Sequence, residues 1–160
     1  MPDVLTPEQR QLNMSRIKGK DTKPEMLIRQ GLHARGLRYR LHDRSLPGRP
    51  DLVFQRHRTA VFVHGCFWHA HGCALSKLPA TRQEFWQPKL AKNAERDRKA
   101  VNALRAAGWR VLVIWECALR GSGRLPEDGV LDLAADFVRN GAPPILDIAG
   151  QKIEQGRTRK

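Results

Sequence analysis

Two apolar runs, Thr59 to His64 and Trp109 to Trp115, constrain this 160-residue chain more than any other feature. Both read as strands, and the later one, β-branched and apolar, reads as a buried strand. Between them lies a long helical region from about Thr81 to Ala107, with an interruption expected near Pro88. A helical crossover of that length brings the later strand back parallel to its neighbour. The expected fold is an α/β domain around a mixed sheet. Neither run approaches the length needed to span a bilayer.

The remaining elements fit around this pair. Thr6-Pro7-Glu8 opens a short helix through about Arg16. Thr22-x-x-Glu25 has capping-box spacing, with Met26, Leu27, Gln30 and His33 at helical intervals and a stop at Gly36. Leu37 to Leu41 alternates apolar and basic residues and reads as a strand. Leu46 to Pro50 is a loop, and Asp51 to Phe54 is a strand neighbouring Thr59–His64. Thr81-x-x-Glu84 repeats the capping-box spacing, Gly108 ends the long helix, and a last helix runs from about Glu127 to Arg139.

Charge narrows the partner. Lys and Arg number 29 against 16 Asp and Glu, a net charge of +13. The excess spreads over the folded part: residues 16–58 hold twelve basic and four acidic residues, and residues 77–110 nine and three. A basic face of this kind follows a phosphate backbone. No segment pairs a Lys-rich face with a bulky apolar one, so nucleic acid is favoured and no membrane partner is expected. Neither end carries the charged start, apolar core and small-residue cleavage site of a secretory signal, so a cytoplasmic, nucleoid-associated location is expected.

Three cysteines in a chain without an export signal read as thiols rather than bridges. Cys66-x4-His71-x-Cys73 is compact, and Cys117 follows the later strand. Together they make a Cys3His set suited to a closed, structural Zn²⁺, with His69 or His64 as alternatives to His71. The bland alternative is three buried thiols. Asp51 opens a strand after Gly48-Arg49-Pro50, a position from which a carboxylate can hold Mg²⁺ for phosphate chemistry. Phe62 and His64 stand where a second acid and a lysine complete the usual pattern. Glu25, His64, His69 and Asp97 are the other polar candidates, since an Asp holding one imidazole nitrogen turns the other toward water. Charge spacing alone makes Asp97 a solvated ion pair on its helix. Phe67-Trp68 and Phe85-Trp86 are aromatic pairs in polar surroundings, either core or wedges for a base stack.

With these residues in view, the chain resembles the very-short-patch repair (Vsr) endonuclease family. The matching stretches are Asn13-Met14, Ser45 to Asp51 (SLPGRPD), His64 to Trp68 (HGCFW) with His69, His71 and Cys73, and Pro79 to Trp86 (PATRQEFW). They continue through Lys92-Asn93, Glu95 to Arg98 (ERDR) and Gly108 to Gly121 (GWRVLVIWECALRG), covering about residues 6–140 in order.

The resemblance implies a restriction-endonuclease-like mixed β-sheet flanked by helices, a structural zinc site, and Mg²⁺-dependent nicking of double-stranded DNA. The implied substrate is a T·G mismatch left by deamination of 5-methylcytosine, cut 5′ of the thymine. It implies Asp51 as the Mg²⁺ carboxylate, joined by the carbonyl of Val63, where Val63 replaces a hydroxyl side chain. It implies His69 as general base or acid, Asp97 as its partner, and His64 and Glu25 near the phosphate or metal waters. Cys66, His71, Cys73 and Cys117 match the zinc ligands, Ala70 and Gly72 leaving His71 the clearest histidine. Phe67, Trp68 and Trp86 match the rings that intercalate. A monomer is expected, with mismatch-repair proteins as further partners. The division is a helical arm over 1–20, an endonuclease domain over 21–145, and a basic tail over 146–160 expected to be disordered. A zinc-stabilised DNA-binding regulator without catalysis is the alternative, and a nuclease using His64 and His69 as metal ligands a second.

Overall fold

The structure is a computed structural model describing residues 22–73, 81–140 and 143–151. Helix α1 (Lys23–Ala34) leads to strands β1 (Arg40–Leu41), β2 (Leu52–Phe54) and β3 (Thr59–His64). Helix α2 (Gln83–Ala106) crosses to β4 (Arg110–Trp115), and α3 (Glu127–Asn140) leads to β5 (Ile145–Ile148). The sheet order is β1-β2-β3-β4-β5, antiparallel from β1 to β3 and parallel from β3 to β5. The mixed sheet and the helical crossover between the two apolar runs are therefore as expected.

Alternation along the central strands divides the core. Val61, Leu112 and Ile114 face α1 and α3, packing with Ile28, Leu32, Val130, Ala134 and Phe137. Ala60, Phe62, Val111 and Val113 face α2, packing with Leu104 and Trp109. Both faces of β3 and β4 are covered, which is why their sequences read as continuous apolar runs.

Several sequence expectations need correction. α2 runs unbroken through Pro88. Pro88 sits near the helix start, where residues 82–85 and 87–89 are exposed, so water replaces the missing amide bond at little cost. The Thr81 capping box does not form: the N-cap is Arg82, in a left-handed conformation (φ +60°) with no side-chain cap. At Thr22 the first half does form, its Oγ1 accepting from the Glu25 N–H at 3.3 Å. β1 spans two residues rather than five, because only Arg40 and Leu41 find partners on the short β2. β5 was not anticipated; it pairs with β4 and carries the sheet beyond residue 145 into the segment assigned to the tail. Its four residues are too few for a periodic signal, and the open edge of β4 supplies the hydrogen bonds. The arm over 1–20, including the helix from Thr6, and tail residues 152–160 lie outside the described residues, as do Asn13, Met14, Pro79 and Ala80.

Gly48 fixes the loop before Asp51. It has φ +75°, and a Cβ there would stand 2.5 Å from Ala100 Cβ and 3.1 Å from the Phe62 ring. Gly48 thereby packs closely against α2 and β3, three residues before Asp51, which directly precedes β2.

Candidate active site and metal-ligand clusters

β3 and β4 run in parallel with His64 opposite Trp115, so the segments following them leave the sheet side by side. Cys66, His71 and Cys73 after β3 meet Cys117, which lies in the one-turn 3-10 helix Glu116–Ala118 after β4. Their ligand atoms all lie within 4.8 Å of one another. His71 Nδ1 is 3.5 Å from Cys66 Sγ and 3.6 Å from Cys117 Sγ. Zinc bond lengths of about 2.3 Å to sulfur and about 2.0–2.1 Å to nitrogen give a tetrahedron with an S···N edge of about 3.5 Å. The donor set fits zinc. His71 is the histidine of this cluster, its ring stacked on Trp115 at 4.0 Å, while His64 and His69 belong to another.

Backbone amides orient the sulfurs. Cys117 N–H donates to Cys66 Sγ at 3.3 Å, and Gly150 N–H donates to Cys117 Sγ at 3.2 Å. Glu116 Oε1 accepts from Cys66 N–H at 3.2 Å, and Arg120 holds the other carboxylate oxygen at 2.7 Å. Burial pushes the Cys66 and Cys117 thiols up; a bound cation reverses that preference by taking thiolate.

A second cluster gathers Glu25, His42 and Asp51, again with ligand atoms within 4.8 Å. Glu25 shares the inward face of α1 with Ile28 and Leu32 and is only 2% exposed. Its Oε2 lies 2.7 Å from His42 Nε2 and accepts from Arg29 at 3.5 Å. Asp51 Oδ2 accepts from the Val63 N–H at 2.7 Å. Burial raises Asp51 to about 6; the Glu25 charge pushes the same way, and the Val63 amide, His42 and His69 oppose it. Two carboxylates at this spacing suit a hard divalent cation such as Mg²⁺. Sequence reasoning missed His42, whose place across from Asp51 depends on the β1–β2 register.

The third cluster is the histidine pair. His69 Nδ1 lies 2.6 Å from Asp97 Oδ2, so the carboxylate of α2 fixes this ring. His64, 7% exposed, stacks on it with centroids 3.8 Å apart and planes 4° from parallel. Burial, and next the neighbouring His69, lower His64 to about 3, keeping it neutral. Parallel rings direct their lone pairs into separate planes, and no single cation lies in both. The arrangement therefore suits an oriented base on a neutral support better than a metal held by both histidines. A cavity of about 390 Å³ opens beside it, lined by His64, His69, Asp97 and Trp115 among others.

Phe67, Trp68 and Trp86 come together with centroids 5.1 to 5.7 Å apart, edge to face and half-buried. Phe85 is exposed beside Trp86 and under Arg82. Asn93 Nδ2 donates to the Trp68 carbonyl at 3.0 Å, tying the ring turn to α2. Asn93 was noted in the sequence only as part of a matching stretch, because a side-chain bond to a distant carbonyl leaves no local pattern. All the site residues singled out from sequence thus gather around the ends of β3 and β4.

A family described as DNA mismatch endonuclease Vsr matches residues 2–75. The chain is 48% identical over 125 residues to a type II nicking enzyme, V.XorIIP, of Xanthomonas oryzae pv. oryzae, covering 78% of this chain and 92% of that protein. It is 44% identical over 151 residues to the DNA mismatch endonuclease Vsr of Escherichia coli strain K12, covering 94% and 97%. Among solved structures, the catalytic domain of homing endonuclease I-Bth0305I shares the fold, with a TM-score of 0.51, 20% identity, and coverage of 77% of this chain and 100% of that one. Similarity of this strength over almost the full length of both relatives shows that the chain belongs to the Vsr DNA mismatch endonuclease family.

Proposed function

We propose that this chain is a DNA mismatch endonuclease that nicks one strand of duplex DNA 5′ of the thymine in T·G mismatches, initiating very-short-patch repair. The observation that carries the reading is the His69–Asp97 pair at 2.6 Å beside a two-carboxylate cluster. With Nδ1 engaged by Asp97, His69 presents Nε2 to take a proton from a water attacking the phosphate. Neutral His64 beneath it adds no competing charge. A divalent cation held by Asp51 and the Val63 carbonyl would neutralise charge developing on the phosphate. Zinc held by Cys66, His71, Cys73 and Cys117 would fix the turn bearing Phe67, Trp68 and His69.

The rings of Phe67, Trp68 and Trp86 enter the base stack at the mismatch. Unstacking costs a few kcal/mol, and a wobble pair concedes it more readily than a matched pair. Exposed Lys89, Lys92, Arg96 and Arg98 on α2 supply phosphate contacts next to the rings. The protein acts as a monomer, which accounts for a cut in a single strand, on nucleoid DNA in the cytoplasm and alongside mismatch-repair proteins. No described helix is long and apolar enough to cross a membrane.

A non-catalytic regulator leaves the Asp51 cluster and the His69–Asp97 pair without a role. The test is nicking of a labelled duplex carrying T·G in randomised flanking sequence, with Mg²⁺. Cutting 5′ of the thymine is expected, with Asp51→Ala lowering the single-turnover rate by about 10²-fold or more. Tight binding without cutting under any divalent cation would overturn the enzyme reading in favour of the regulator.

A further inference from the structure

His42 has three properties that a solvated surface histidine lacks. β1 pairs Arg40 with Val53 and Leu41 with Leu52, so the next residue along, His42, stands opposite Asp51, and its N–H donates to the Asp51 carbonyl at 3.1 Å. Its ring reaches back to α1, with Nε2 2.7 Å from Glu25 Oε2. Its backbone is left-handed, with φ +48°, a conformation uncommon for any residue but glycine and often found where function over-determines the chain.

These properties converge on Glu25. A buried carboxylate on a core-facing helix position has few orientations, and the short bond to His42 selects one. The ring nitrogen that faces Glu25 is engaged by the carboxylate at 2.7 Å and is not free for a metal. Through this nitrogen His42 acts on the cation by way of Glu25.

We propose that His42 is a positioning residue of the cation site: it holds the Glu25 carboxylate facing Asp51, so that both carboxylates act on one divalent cation. This rests on the reading of Asp51 as the cation's carboxylate. Partners of this kind orient metal-ligating carboxylates, and removing them weakens metal binding by about 10- to 100-fold.

The test measures Mn²⁺ binding to the zinc-loaded full chain, following the signal of free Mn²⁺ by electron paramagnetic resonance, with a melting curve for every variant. His42→Gly removes the ring while easing the left-handed backbone, so the fold is retained. His42→Gln keeps an N–H donor at similar reach. We expect His42→Gly to weaken Mn²⁺ binding about 10-fold, His42→Gln to stay near the parent, and Asp51→Asn to lose binding. If His42→Gly binds like the parent while Asp51→Asn does not, the role of His42 is overturned and the reading of Asp51 stands. Should Asp51→Asn bind like the parent, the underlying reading fails instead. Binding by His42→Gln as weak as by His42→Gly would overturn positioning, because the ring nitrogen itself would then be required.

Discussion

The sulfur cluster and the carboxylate cluster flank the same stretch of chain, Val63 to Cys66, yet they are built in opposite ways. Three of the four sulfur-side donors, Cys66, His71 and Cys73, lie within one turn, and amides of Cys117 and Gly150 point at the sulfurs. Each carboxylate-side residue comes from a different element: Glu25 from α1, His42 after β1, Asp51 before β2. The first cluster, with four protein donors, would close around an ion and leave no position for water, trading function for rigidity. The second keeps two carboxylates together at an energetic cost, which a bound divalent cation would relieve. On the proposed reading, one side holds the site in place and the other does chemistry.

The sharpest challenge to that contrast is removal of a sulfur ligand. Cys117→Ser should lower the melting temperature by about 10 °C, equivalent to about 3–4 kcal/mol in a domain of this size. Metal analysis should show zinc lost with it. A folded, metal-free parent protein with an unchanged melting temperature would remove the structural role of the sulfur side.

Asp51→Asn should do the reverse on the other side. The folded-state pKa of Asp51, about 6, lies above its ordinary value of 3.8, so the folded protein holds a proton that the unfolded chain releases. Its ionisation therefore erodes stability as pH rises from about 4 to about 6, after which the loss is complete. In the absence of divalent cations, Asp51→Asn should be more stable than the parent by about 2–3 kcal/mol at pH 7.5. At pH 4 the difference should vanish. Denaturant melts at the two pH values measure it, and a pH-independent difference would show that Asp51 is not held against its own charge.

How much of this was legible in the sequence follows the same division. Cys66, His71 and Cys73 are neighbours in the chain, and Cys117 lies just past an apolar strand, so chemistry and spacing sufficed to group them. Asp51 stood out by its place at a strand start, but charge spacing made Asp97 an ordinary ion pair. Its partnership with His69 requires α2 to lie across the turn after β3, which no local pattern records. His42 needs the β1–β2 register, and Glu25 needs the inward face of α1; neither was grouped with Asp51 from the residues alone. The strand pairing of β5 depends on an open edge of β4, a property of the assembled sheet. Local geometry was readable, and convergence from separate elements was not.

The smallest expected effect concerns the part of the sulfur side that does not come from the turn. Gly150 lies directly after β5, where a Cβ would stand 2.2 Å from the Cys117 carbonyl oxygen and 2.9 Å from that of Gly123. Only a glycine lets this segment approach closely enough for its amide to reach Cys117 Sγ, while Gln151 N–H bonds to the Gly123 carbonyl at 2.8 Å. Gly150→Ala must move one backbone away from the other. The strap after β5 gives way more easily than the cysteine turn, so the cost should be about 1 kcal/mol, at the low end for overpacking. Its signature lies in the metal. Loss of the N–H···S bond should speed zinc release to a chelator by about 10-fold and shift the sulfur-to-metal charge-transfer band of the Co²⁺-substituted protein. Mismatch nicking at saturating zinc should stay close to that of the parent, because the strap touches none of the carboxylates or His69. Unchanged zinc release would mean that the turn alone closes the sulfur side; a loss of nicking with zinc retained would mean that the two clusters are not separable.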